Sequence, residues 1–375
     1  MRIGFVLQDP ERRSPTGLDT YTWNLWDALR SIDHGHELVP VTLPHRLAIR
    51  AYFRMLWEQL YLPLWARRQR IDLLHVPAGS APVLRWQPCA LTLHDLGDEP
   101  EAGYRTTLGP RLYFGRVVPW SARFATALIC DSEATKRDAV ARLGIPEERI
   151  AVVPLAPAPC FRKLPEEAVE TARRKYGLRG PYFLQVGALV PRKNLRGALT
   201  GFARFVERRP DDETQFVVVG GRGFGERGLS REANALIRRG RVRSLGHVSQ
   251  EDLVALYNGA VAVVLPSFYE GFGFPLVEAF ACGTPAIASR VASLPEVGGA
   301  AALYVDPHDP DTIADAMERY AASPDLRDEM ARRASERSRY FSWRKTAEGT
   351  LAVYRQALEG SGRAHTPQRR WRPSA

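Results

Sequence analysis

Short apolar runs and longer amphipathic stretches alternate along the whole chain. The apolar runs are rich in Val, Ile and Leu and end in polar turns, which is typical of strands buried in parallel sheets. The pattern therefore predicts an α/β protein built from repeated strand–helix units. The runs predicted as strands are residues 2–8, 37–43, 90–95, 126–132, 150–154, 181–187, 215–221 and 261–266. The main predicted helices are residues 19–30, 47–70, 133–143, 310–320 and 345–358, with another that begins near residue 195.

The length of the chain predicts two domains. At 375 residues it exceeds what one hydrophobic core usually organises. Residues 154–165 contain four prolines in twelve positions, a composition typical of a linker. We therefore expect one domain at residues 1–160 and a second at residues 165–344. The final residues 361–375 are polar, basic and contain proline, so we expect a disordered tail.

Residues 267–290 combine a glycine-rich loop with the start of a helix, immediately after a predicted strand. Gly271 and Gly273 let the backbone bend sharply and bring its N–H groups close to a ligand. Pro275 suits the first helical position, and a short helix from there would end at Gly283. The start of such a helix stabilises a phosphate or diphosphate, because its N–H groups are unpaired and its dipole is positive there.

Two carboxylates bracket this loop. Glu270 precedes the glycines, and Glu278 is expected in the first turn of the helix. Carboxylates accept hydrogen bonds from hydroxyls, so a phosphate flanked by two of them indicates a nucleotide sugar. The residues alone leave an alternative open, because a Glu in a first helical turn also stabilises the helix dipole and a Gly-x-Gly is often only a turn.

A longer ordered pattern resembles the signature of the family-4 retaining glycosyltransferases of GT-B fold, the group 1 glycosyl transferases. The residues that carry it are Glu270, Gly271, Gly273, Pro275, Glu278, Ala279, Cys282, Gly283, Thr284, Pro285, Ser293, Leu294, Pro295 and Glu296. The resemblance implies two Rossmann-like domains that face each other across a cleft. It also implies that residues 1–160 bind the acceptor, that residues 165–344 bind the nucleotide sugar, and that a helix at residues 345–360 crosses back to the first domain.

The resemblance implies roles for single residues as well. The catalytic residues would be His94, Glu270, Arg192 and Lys193. His94 would contact the transferred hexose, and the Arg–Lys pair would grip the donor diphosphate. The residues implied in donor binding are Gly17, Gly246, His247, Val248, Gly271, Phe272, Gly273, Phe274, Pro275, Leu276 and Glu278. Asp19 stands where the family usually has a second glycine in the first loop, so the resemblance leaves the acceptor side undefined.

The formal charge of +10 is unevenly distributed. Residues 45–72 carry six arginines against two acids, and residues 361–375 carry four arginines and no acid. The predicted helix at residues 47–70, which we expect to be broken near Pro63, interleaves its arginines with aromatic side chains, namely Tyr52, Phe53, Trp57, Tyr61 and Trp65. Such a helix suits an anionic membrane surface. The alternative, with aromatics facing the core and arginines facing water, fits equally. No nucleic-acid-binding signature is present, so we expect no nucleic-acid partner.

The sequence predicts no metal, no cofactor and no disulfide framework. The four cysteines have no Cys-x-x-Cys spacing and no neighbouring His cluster, which indicates a reducing compartment. Asp309 and Asp311 imitate an acidic metal motif, but Asp309 as N-cap with Pro310 as first helical residue explains them better. We see no signal peptide and no membrane-spanning run. We therefore expect a cytoplasmic protein, with peripheral contact at the inner face of the membrane as an open alternative.

Together these features predict a metal-independent transferase that moves a hexose from a nucleoside diphosphate sugar to a hydroxyl with retention of configuration. The resemblance is nearest to bacterial mannosyltransferases of surface polysaccharide assembly, which implies GDP-mannose as donor and a lipid-linked or oligosaccharide acceptor. A UDP-sugar donor, a nucleotide-sugar epimerase on the same fold and a non-catalytic glycan-binding homologue are the alternatives. The last is disfavoured by the charged set, which comprises Glu270, Glu278, Arg192, Lys193 and His94.

Overall fold

Two parallel sheets of six strands each form the frame of the protein, as the α/β prediction requires. The computed structural model describes residues 1–8, 17–43, 51–96, 112–221 and 230–363. The strands of the first sheet are β1 (Arg2–Gln8), β2 (Glu37–Leu43), β3 (Leu73–Val76), β4 (Cys89–Leu93), β5 (Ala127–Cys130) and β6 (Ile150–Val152). The strands of the second sheet are β7 (Tyr182–Val186), β8 (Gln215–Val219), β9 (Val242–Gly246), β10 (Ala262–Leu265), β11 (Ala286–Ser289) and β12 (Ala302–Val305).

Helices connect most of the successive strands, whereas β3 and β4 are joined by residues 77–88, which contain no helix. Those of the first half are α1 (Gly17–Ser31), α2 (Ala51–Leu56, continued by Trp57–Tyr61 and Leu62–Arg68), α3 (Tyr113–Val117 with Val118–Ala122) and α4 (Glu133–Leu143). Those of the second half are α5 (Glu166–Lys175), α6 (Leu195–Arg208), α7 (Arg231–Arg238), α8 (Gln250–Gly259), α9 (Phe274–Ala281), α10 (Leu294–Gly298), α11 (Pro310–Ala322) and α12 (Pro324–Ser338). A final helix, α13 (Trp343–Arg363), ends the described chain.

Both faces of each sheet are buried, which explains the continuous apolar runs. Along β7, Leu184 belongs to one apolar cluster and its neighbour Phe183 to another on the opposite face. Phe5 and Val6 of β1 divide in the same way between two clusters. Strands of this kind cannot alternate apolar and polar residues, because neither side chain direction leads to water.

The strand order reverses once in each sheet. The first sheet has the order β2-β1-β3-β4-β5-β6, and the second has the order β12-β11-β10-β7-β8-β9. The chain thus returns to the other side of β1 with β3, and to the other side of β7 with β10. Ligands of open α/β sheets bind beyond the carboxyl ends of strands at such switch points. The loops after β7 and β10 are therefore the expected site in the second sheet.

The last helix crosses from the second sheet to the first, as the resemblance implies. Thr346 donates its hydroxyl to the carbonyl oxygen of Pro154 at 2.8 Å. Further along α13, the hydroxyl of Tyr354 lies 2.6 Å from Nδ1 of His75 on β3. The helix also packs along α1. These contacts make α13 part of the first half of the molecule.

Helix α13 is longer at both ends than the prediction over residues 345–358. Residues 361–363 continue it, although they were predicted to begin the disordered tail, so that boundary is wrong. Residues 364–375 lie outside the described residues. Predicted and observed bounds agree for β1, β2 and α4.

The helix predicted over residues 47–70 is not broken at Pro63. Residues 51–68 form one continuous helix with a π-helical turn, Trp57–Tyr61, just before the proline. A proline removes one backbone donor and crowds the preceding turn, and a wider turn accommodates both effects. In α3 the π-helical turn Tyr113–Val117 precedes Pro119 in the same way. Residues 47–50 lie outside the described residues.

Residues 154–165 contain no helix or strand, as expected of a connection between sheets. The segment is nevertheless packed, since Leu155, Ala158 and Phe161 are buried in an apolar cluster that includes residues of β1 and β7. The proposed boundaries at residues 1–160 and 165–344 therefore stay a prediction.

Candidate active site

The loop after β10 is fixed by hydrogen bonds before it reaches its glycines. Phe268 donates its backbone N–H to the carbonyl oxygen of Arg192 at 2.9 Å. Ser293 donates its hydroxyl to the carbonyl oxygen of Glu270 at 2.8 Å. The loop after β10 is thereby tied both to the loop after β7 and to the start of α10. This bonding gives the side chain of Glu270 a defined position at the switch point.

Glu270 lies between the two predicted diphosphate-binding cations. Its Oε2 is 2.6 Å from Nη1 of Arg192, and its Oε1 is 2.6 Å from Nζ of Lys193. Ser267 donates its hydroxyl to Oε1 at 2.7 Å. Burial disfavours the ionised form, but Lys193 and Arg192 outweigh it and lower the pKa of Glu270 to about 2. The carboxylate is therefore permanently charged, and two cations against one anion leave the cluster with one net positive charge.

The cations are positioned by a short 3₁₀ turn, Pro191–Lys193, and by Asn194. Asn194 has a left-handed backbone with φ of 49° and caps α6, because its side chain accepts from the N–H of Gly197. Its amide nitrogen donates to the carbonyl oxygens of Pro266 and Pro307, at 3.0 and 2.7 Å. Asn194 thus joins three loops at the carboxyl edge of the second sheet. A left-handed Asn that makes such bonds is locally favourable.

Burial lowers the pKa of Lys193, and Arg192 acts in the same direction, whereas Glu270 opposes both. Loss of Glu270 would therefore leave two buried like charges side by side. Such an arrangement is unfavourable without an anion between them.

Gly271 brings the two sheets into contact. A Cβ at this position would stand 2.0 Å from the carbonyl oxygen of His94, so only glycine fits. The carbonyl oxygen of Gly271 accepts from the hydroxyls of Ser132 and Thr135, at 2.6 and 3.2 Å. These two residues begin α4, which follows β5 of the first sheet. The glycine loop is therefore held against the first sheet by backbone and side-chain contacts.

His94 uses both ring nitrogens on the protein. Nδ1 lies 2.6 Å from Oδ2 of Asp131, and Nε2 lies 2.9 Å from the carbonyl oxygen of Pro77. A carbonyl oxygen only accepts, so Nε2 carries a proton. Burial disfavours the charged ring, but Asp131 dominates and the pKa of His94 is raised. Both ring nitrogens are engaged, so a role of His94 on the transferred hexose stays a prediction.

The helix after the glycine loop starts one residue earlier than predicted. Gly273 is its N-cap with φ of 94°, which makes Phe274 the first helical residue and Pro275 the second. A Cβ at position 273 would stand 2.7 Å from Cδ2 of Leu294, so space and backbone both require glycine. Pro275 and Leu276 are buried and support the loop from below.

Two phenylalanines of the loop connect it to other elements. Phe272 packs edge-to-face against Phe274 and against Phe341, with ring centroids 5.9 and 5.8 Å apart. The ring of Phe274 also lies 3.4 Å from the place where a Cβ of Gly17 would be. Gly17, the first residue of α1, therefore lies close to the glycine loop of the second sheet. Its role in donor binding stays a prediction.

Glu278 is the fifth residue of α9, so the prediction that it lies in the first turn is wrong. The shift follows from the start of the helix at Phe274. Tyr257 on α8 donates its hydroxyl to Oε2 of Glu278 at 2.6 Å. Burial raises the pKa of Glu278 to about 7, although Tyr257 and Lys193 both favour the carboxylate. The group consequently changes charge near neutral pH.

Gly246, His247 and Val248, which the resemblance implies in donor binding, lie at and just after the end of the outer strand β9. The carbonyl oxygen of Gly246 accepts from the N–H of Gly220 at 2.8 Å. Gly220 in turn packs against the backbone of Gly187. A Cβ on Gly220 would stand 2.2 Å from the carbonyl oxygen of Gly187. His247 is exposed and Val248 is half-buried, so this segment forms the rim of the site and not part of the charged cluster.

Several residues near the site were not predicted from the sequence. Asp131 and Ser132 directly follow β5, as His94 follows β4, so the rule that ligands bind beyond strand ends points to them. Tyr21, Tyr257 and Asn194 come from helices or helix starts. Their proximity to the site depends on how distant elements pack, and the sequence carries no local signal for that.

Asp309 caps α11 as predicted, accepting from the N–H of Asp311 at 2.9 Å. Asp311 forms ion pairs with Arg204 and Arg208. Within the described ranges, no three His, Cys, Asp or Glu side chains come together as a metal site would require.

Two family models match the chain. The model described as "Glycosyl transferases group 1" matches residues 169–337, and the model described as "Glycosyltransferase Family 4" matches residues 15–156. The first match contains the charged cluster and the glycine loop. The second contains His94, Asp131 and α1. Together the two models cover both sheets.

Curated proteins are similar over much of the chain. The O-antigen chain mannosyltransferase B of Escherichia coli is 30% identical over 302 residues, which is 78% of this chain and 76% of that protein. A D-inositol 3-phosphate glycosyltransferase of Acidothermus cellulolyticus is 33% identical over 310 residues, which is 75% of this chain and 64% of that protein. The serotype-specific mannosyltransferase WbdA of Escherichia coli is 27% identical over 243 residues, 63% of this chain and 29% of that protein.

Solved structures share the arrangement of the two sheets. Anabaena HepE in complex with UDP and glucose superposes with a TM-score of 0.71 at 18% identity, covering 95% of this chain and 100% of that one. WaaG, a glycosyltransferase involved in lipopolysaccharide biosynthesis, superposes with a TM-score of 0.70 at 16% identity, covering 94% and 99%. At these identities the likeness concerns the fold.

Proposed function

This chain belongs to the family-4, group 1 glycosyl transferases of GT-B fold, and we propose that it transfers a hexose from a nucleoside diphosphate sugar to a hydroxyl with retention of configuration. The observation that carries the proposal is the pairing of Glu270 with Arg192 and Lys193 beside the glycine loop. The cluster keeps one net positive charge in a buried place at a switch point, where a diphosphate is favourable.

The cluster supplies the chemistry that departure of a nucleotide requires. Negative charge builds up on the diphosphate as the sugar–oxygen bond breaks, and fixed cations stabilise that charge most in a site that excludes water. The N-terminus of α9 adds unpaired N–H groups near the same loop. We propose that this set replaces a metal ion and that the reaction needs neither metal nor cofactor.

We propose GDP-mannose as the donor and a lipid-linked sugar or oligosaccharide of surface polysaccharide assembly as the acceptor. Support comes from the relatives named as mannosyltransferases, one of which aligns with 78% of this chain. A UDP-sugar donor is the second candidate, favoured by the fold-level likeness to HepE with UDP and glucose. A nucleotide-sugar epimerase is the third, since the cluster would serve departure of a nucleotide equally well.

A donor panel tests these candidates. Purified protein is incubated with GDP-mannose, GDP-glucose and UDP-glucose, with and without a lipid-linked acceptor, and the released nucleotide and the sugar product are quantified. The proposal predicts the fastest release from GDP-mannose and sugar appearing on the acceptor. Preference for UDP-glucose would overturn the donor assignment, and an epimerised free sugar without need of acceptor would overturn the transfer.

The same assay tests the two cations. Arg192→Ala and Lys193→Ala should each lower turnover about 10²-fold, because each removes a group that stabilises the leaving diphosphate. Arg332→Ala, which removes an exposed arginine that forms an ion pair with Glu336 on α12, is the matched control. Near-normal turnover in both cluster variants would remove them from the site.

We further propose that the protein works at the cytoplasmic face of a membrane, held there by α2, α3 and the loop before β4. These elements expose many large apolar side chains, namely Tyr52, Phe53, Leu60, Tyr61, Leu64, Leu84, Trp86, Leu112, Trp120 and Phe124. Trp57 is buried, as the core-facing alternative for α2 predicted, but Arg54 is also buried against Glu58 and does not face water. The core-facing alternative is thus confirmed for Trp57 and not for Arg54, and contact with a membrane stays a prediction.

Basic residues accompany the apolar ones. A groove of about 370 Å³ between α3 and α4 is lined by Arg116, Arg123, Arg142 and Trp120, and its lining includes no carboxylate. Apolar side chains beside arginines suit a surface of anionic lipid. In the described part of the chain, no helix has the length and hydropathy needed to cross a bilayer, so contact of this kind would be peripheral.

Vesicle sedimentation tests this contact. The protein should sediment with phosphatidylcholine vesicles that contain phosphatidylglycerol and remain in the supernatant with phosphatidylcholine alone. The double variant Leu60→Gln, Leu64→Gln should lose most of the binding, whereas Tyr340→Ser, an exposed aromatic on another part of the surface, should keep it. Equal sedimentation of wild type and double variant would refute the assignment of this face.

A further inference from the structure

Four buried polar side chains form a hydrogen-bonded chain from the last helix to the wall of the site. The hydroxyl of Tyr354 lies 2.6 Å from Nδ1 of His75, and Nε2 of His75 lies 2.9 Å from the hydroxyl of Thr92. The hydroxyl of Thr92 lies 2.9 Å from that of Tyr21. All four side chains are at most 2% exposed. They come from α13, β3, β4 and α1, which are distant in sequence.

Packing alone does not explain why these four positions carry hydrogen-bonded polar side chains. Side chains such as Phe and Val fill the same volumes without removing polar groups from water, and a buried polar group is tolerated only when it is bonded. Burial lowers the pKa of His75 to about 3, and the neighbouring His94 adds to the effect. His75 is therefore neutral, so one ring nitrogen donates and the other accepts. Loss of any member leaves its neighbour with an unmet donor or acceptor.

Tyr21 connects the chain to the active-site histidine. Its ring stands edge-to-face to the imidazole of His94, with centroids 4.7 Å apart and an interplanar angle of 82°. Its hydroxyl is held by Thr92, so the ring has a fixed depth and tilt. The ring also lies 6.2 Å from that of Trp343 at the start of α13. The last helix therefore contacts Tyr21 through Trp343 near its start and His75 through Tyr354 further along.

The ring of Tyr21 lies beside a hydrogen bond that water would weaken. His94 is bonded to Asp131, and Oδ1 of Asp131 accepts no hydrogen bond from the residues that the structure describes. A buried carboxylate oxygen of this kind attracts water strongly. Water beside the pair would weaken the attraction between the imidazole and the carboxylate. A ring held firmly against His94 keeps water out.

We propose that Tyr354, His75 and Thr92 are positioning residues, which hold Tyr21 against His94 and thereby fix the imidazole between Asp131 and Pro77. The last helix then acts on the site without touching substrate. Its crossing to the first sheet serves catalysis as well as stability. The kinetic part of this inference rests on the proposed function, whereas the arrangement around His94 is testable without any substrate.

Two substitutions of Thr92 separate positioning from packing. Thr92→Val keeps the shape and removes the hydroxyl, and Thr92→Ser keeps the hydroxyl and removes a methyl group. Positioning predicts that Thr92→Val lowers kcat about tenfold with little change in donor KM, while Thr92→Ser stays within twofold of wild type. A role of Thr92 in apolar packing alone predicts the reverse order, because valine preserves the packing of β4 and serine leaves a cavity.

The far end of the chain provides a matched pair. Tyr354→Phe removes only the hydroxyl that meets His75. Tyr320→Phe removes an equally buried hydroxyl, which donates to the carbonyl oxygen of Ala286 in the second sheet. The inference predicts about a tenfold loss of kcat for Tyr354→Phe and less than twofold for Tyr320→Phe at comparable melting temperatures. Equal kinetic effects of the two would overturn it.

Nuclear magnetic resonance of the histidine rings tests the same point without substrate. The ¹⁵N shifts of His94 are followed against pH in wild type, Thr92→Val and Tyr354→Phe, with His94→Gln for assignment. The charged or titratable groups around His94 are Asp131, Asp95, His75 and Tyr21. The inference predicts that His94 loses its proton at a lower pH in both variants than in wild type. Unchanged titration in both overturns the inference, even if the wild type proves to catalyse another reaction.

Discussion

The α-carbon of Gly271 rests on the backbone carbonyl of His94, so closely that a Cβ on Gly271 would stand 2.0 Å from the carbonyl oxygen. Gly271 belongs to the loop after β10 of the second sheet, and His94 follows β4 of the first. The two halves of the molecule therefore meet at the glycine loop itself. Tyr269, two residues before Gly271, adds a second link by donating its hydroxyl to Asp138 at 2.6 Å.

Gly271→Ala should separate the halves. The atom in the way is backbone, which cannot rotate aside, so the loop or the whole cleft must shift. A shift of this size costs about 10²-fold in kcat/KM. Steady-state kinetics checks this, with Gly349→Ala on α13 as control, because the three atoms nearest to its new methyl group belong to the side chain of Val153, the closest at 3.1 Å, and not to the backbone. Wild-type kinetics for Gly271→Ala would show that this contact is not part of the working enzyme.

The two glutamates should fail differently. Glu270 is permanently charged and lies against both cations, so Glu270→Gln changes the charge around the leaving diphosphate. We expect kcat to fall about 10²-fold, with the donor KM unchanged or lower. Glu278 is predicted to accept from the ribose, an interaction present before and during reaction, so Glu278→Gln should mainly raise the donor KM.

The kinetic split between the two variants is the measurement. Melting temperatures are recorded alongside, since Glu270→Gln also leaves Arg192 and Lys193 without their partner. If both variants keep normal kcat and donor KM and lose only stability, Glu270 and Glu278 serve packing and the helix dipole. The assignment of this site to the donor would then be wrong.

The donor KM should depend on pH through Glu278. Its pKa is raised to about 7 by burial, so the carboxyl is neutral below that pH and ionised above it. Only the ionised form accepts from two ribose hydroxyls, so the donor KM should fall as pH rises through about 7. Tyr257→Phe removes a hydroxyl that favours the carboxylate and should move the midpoint to higher pH. A pH-independent KM in wild type contradicts the assignment.

The same group predicts a trend in stability. The folded state holds the proton of Glu278 more tightly than the unfolded state, whose ordinary pKa is 4.5. Because the native state binds more protons between pH 4.5 and about 7, the contribution of Glu278 to the free energy of unfolding falls as pH rises across that window. Denaturant unfolding of wild type and Glu278→Gln at several pH values measures it. The difference in the free energy of unfolding between the two proteins should be smallest at low pH. It should grow as pH approaches neutrality, because only the wild type loses stability there.

Activity should survive chelation. Arg192, Lys193 and the start of α9 supply the positive charge that a metal would otherwise bring. Turnover in excess EDTA should equal turnover in added Mg²⁺ or Mn²⁺. Complete loss in EDTA, restored by either ion, would return attention to Asp309 and Asp311 despite their role in capping α11.

The sequence was most informative where local pattern and local chemistry agree. The apolar run of β1 has the predicted bounds because both of its faces are buried and no alternation blurs the signal. The edge strand β2 also has the predicted bounds, although several of its residues are exposed. The glycine loop, Glu270 and the Arg192–Lys193 pair were predicted as one site, and the structure places Glu270 in contact with both cations.

What the sequence could not supply depends on tertiary packing. The position of Glu278 was misjudged because Gly273 adopts a left-handed backbone and starts the helix one residue earlier. The bond between Tyr354 and His75 joins residues 279 positions apart. No periodicity or turn signal predicts such a pair, since it arises only when α13 lies across the first sheet.

Real-time nuclear magnetic resonance of GDP-mannose hydrolysis tests the central claim most directly. Water replaces the unknown acceptor, and the one-bond carbon–proton coupling identifies the anomer of free mannose as it first forms. The account predicts steady release of GDP, about 10²-fold slower in Arg192→Ala and in Lys193→Ala. It also predicts that α-mannose appears first, because the donor is α-linked and the configuration is retained. Initial formation of β-mannose would contradict the account. Release of GDP by either variant at the wild-type rate would contradict it as well.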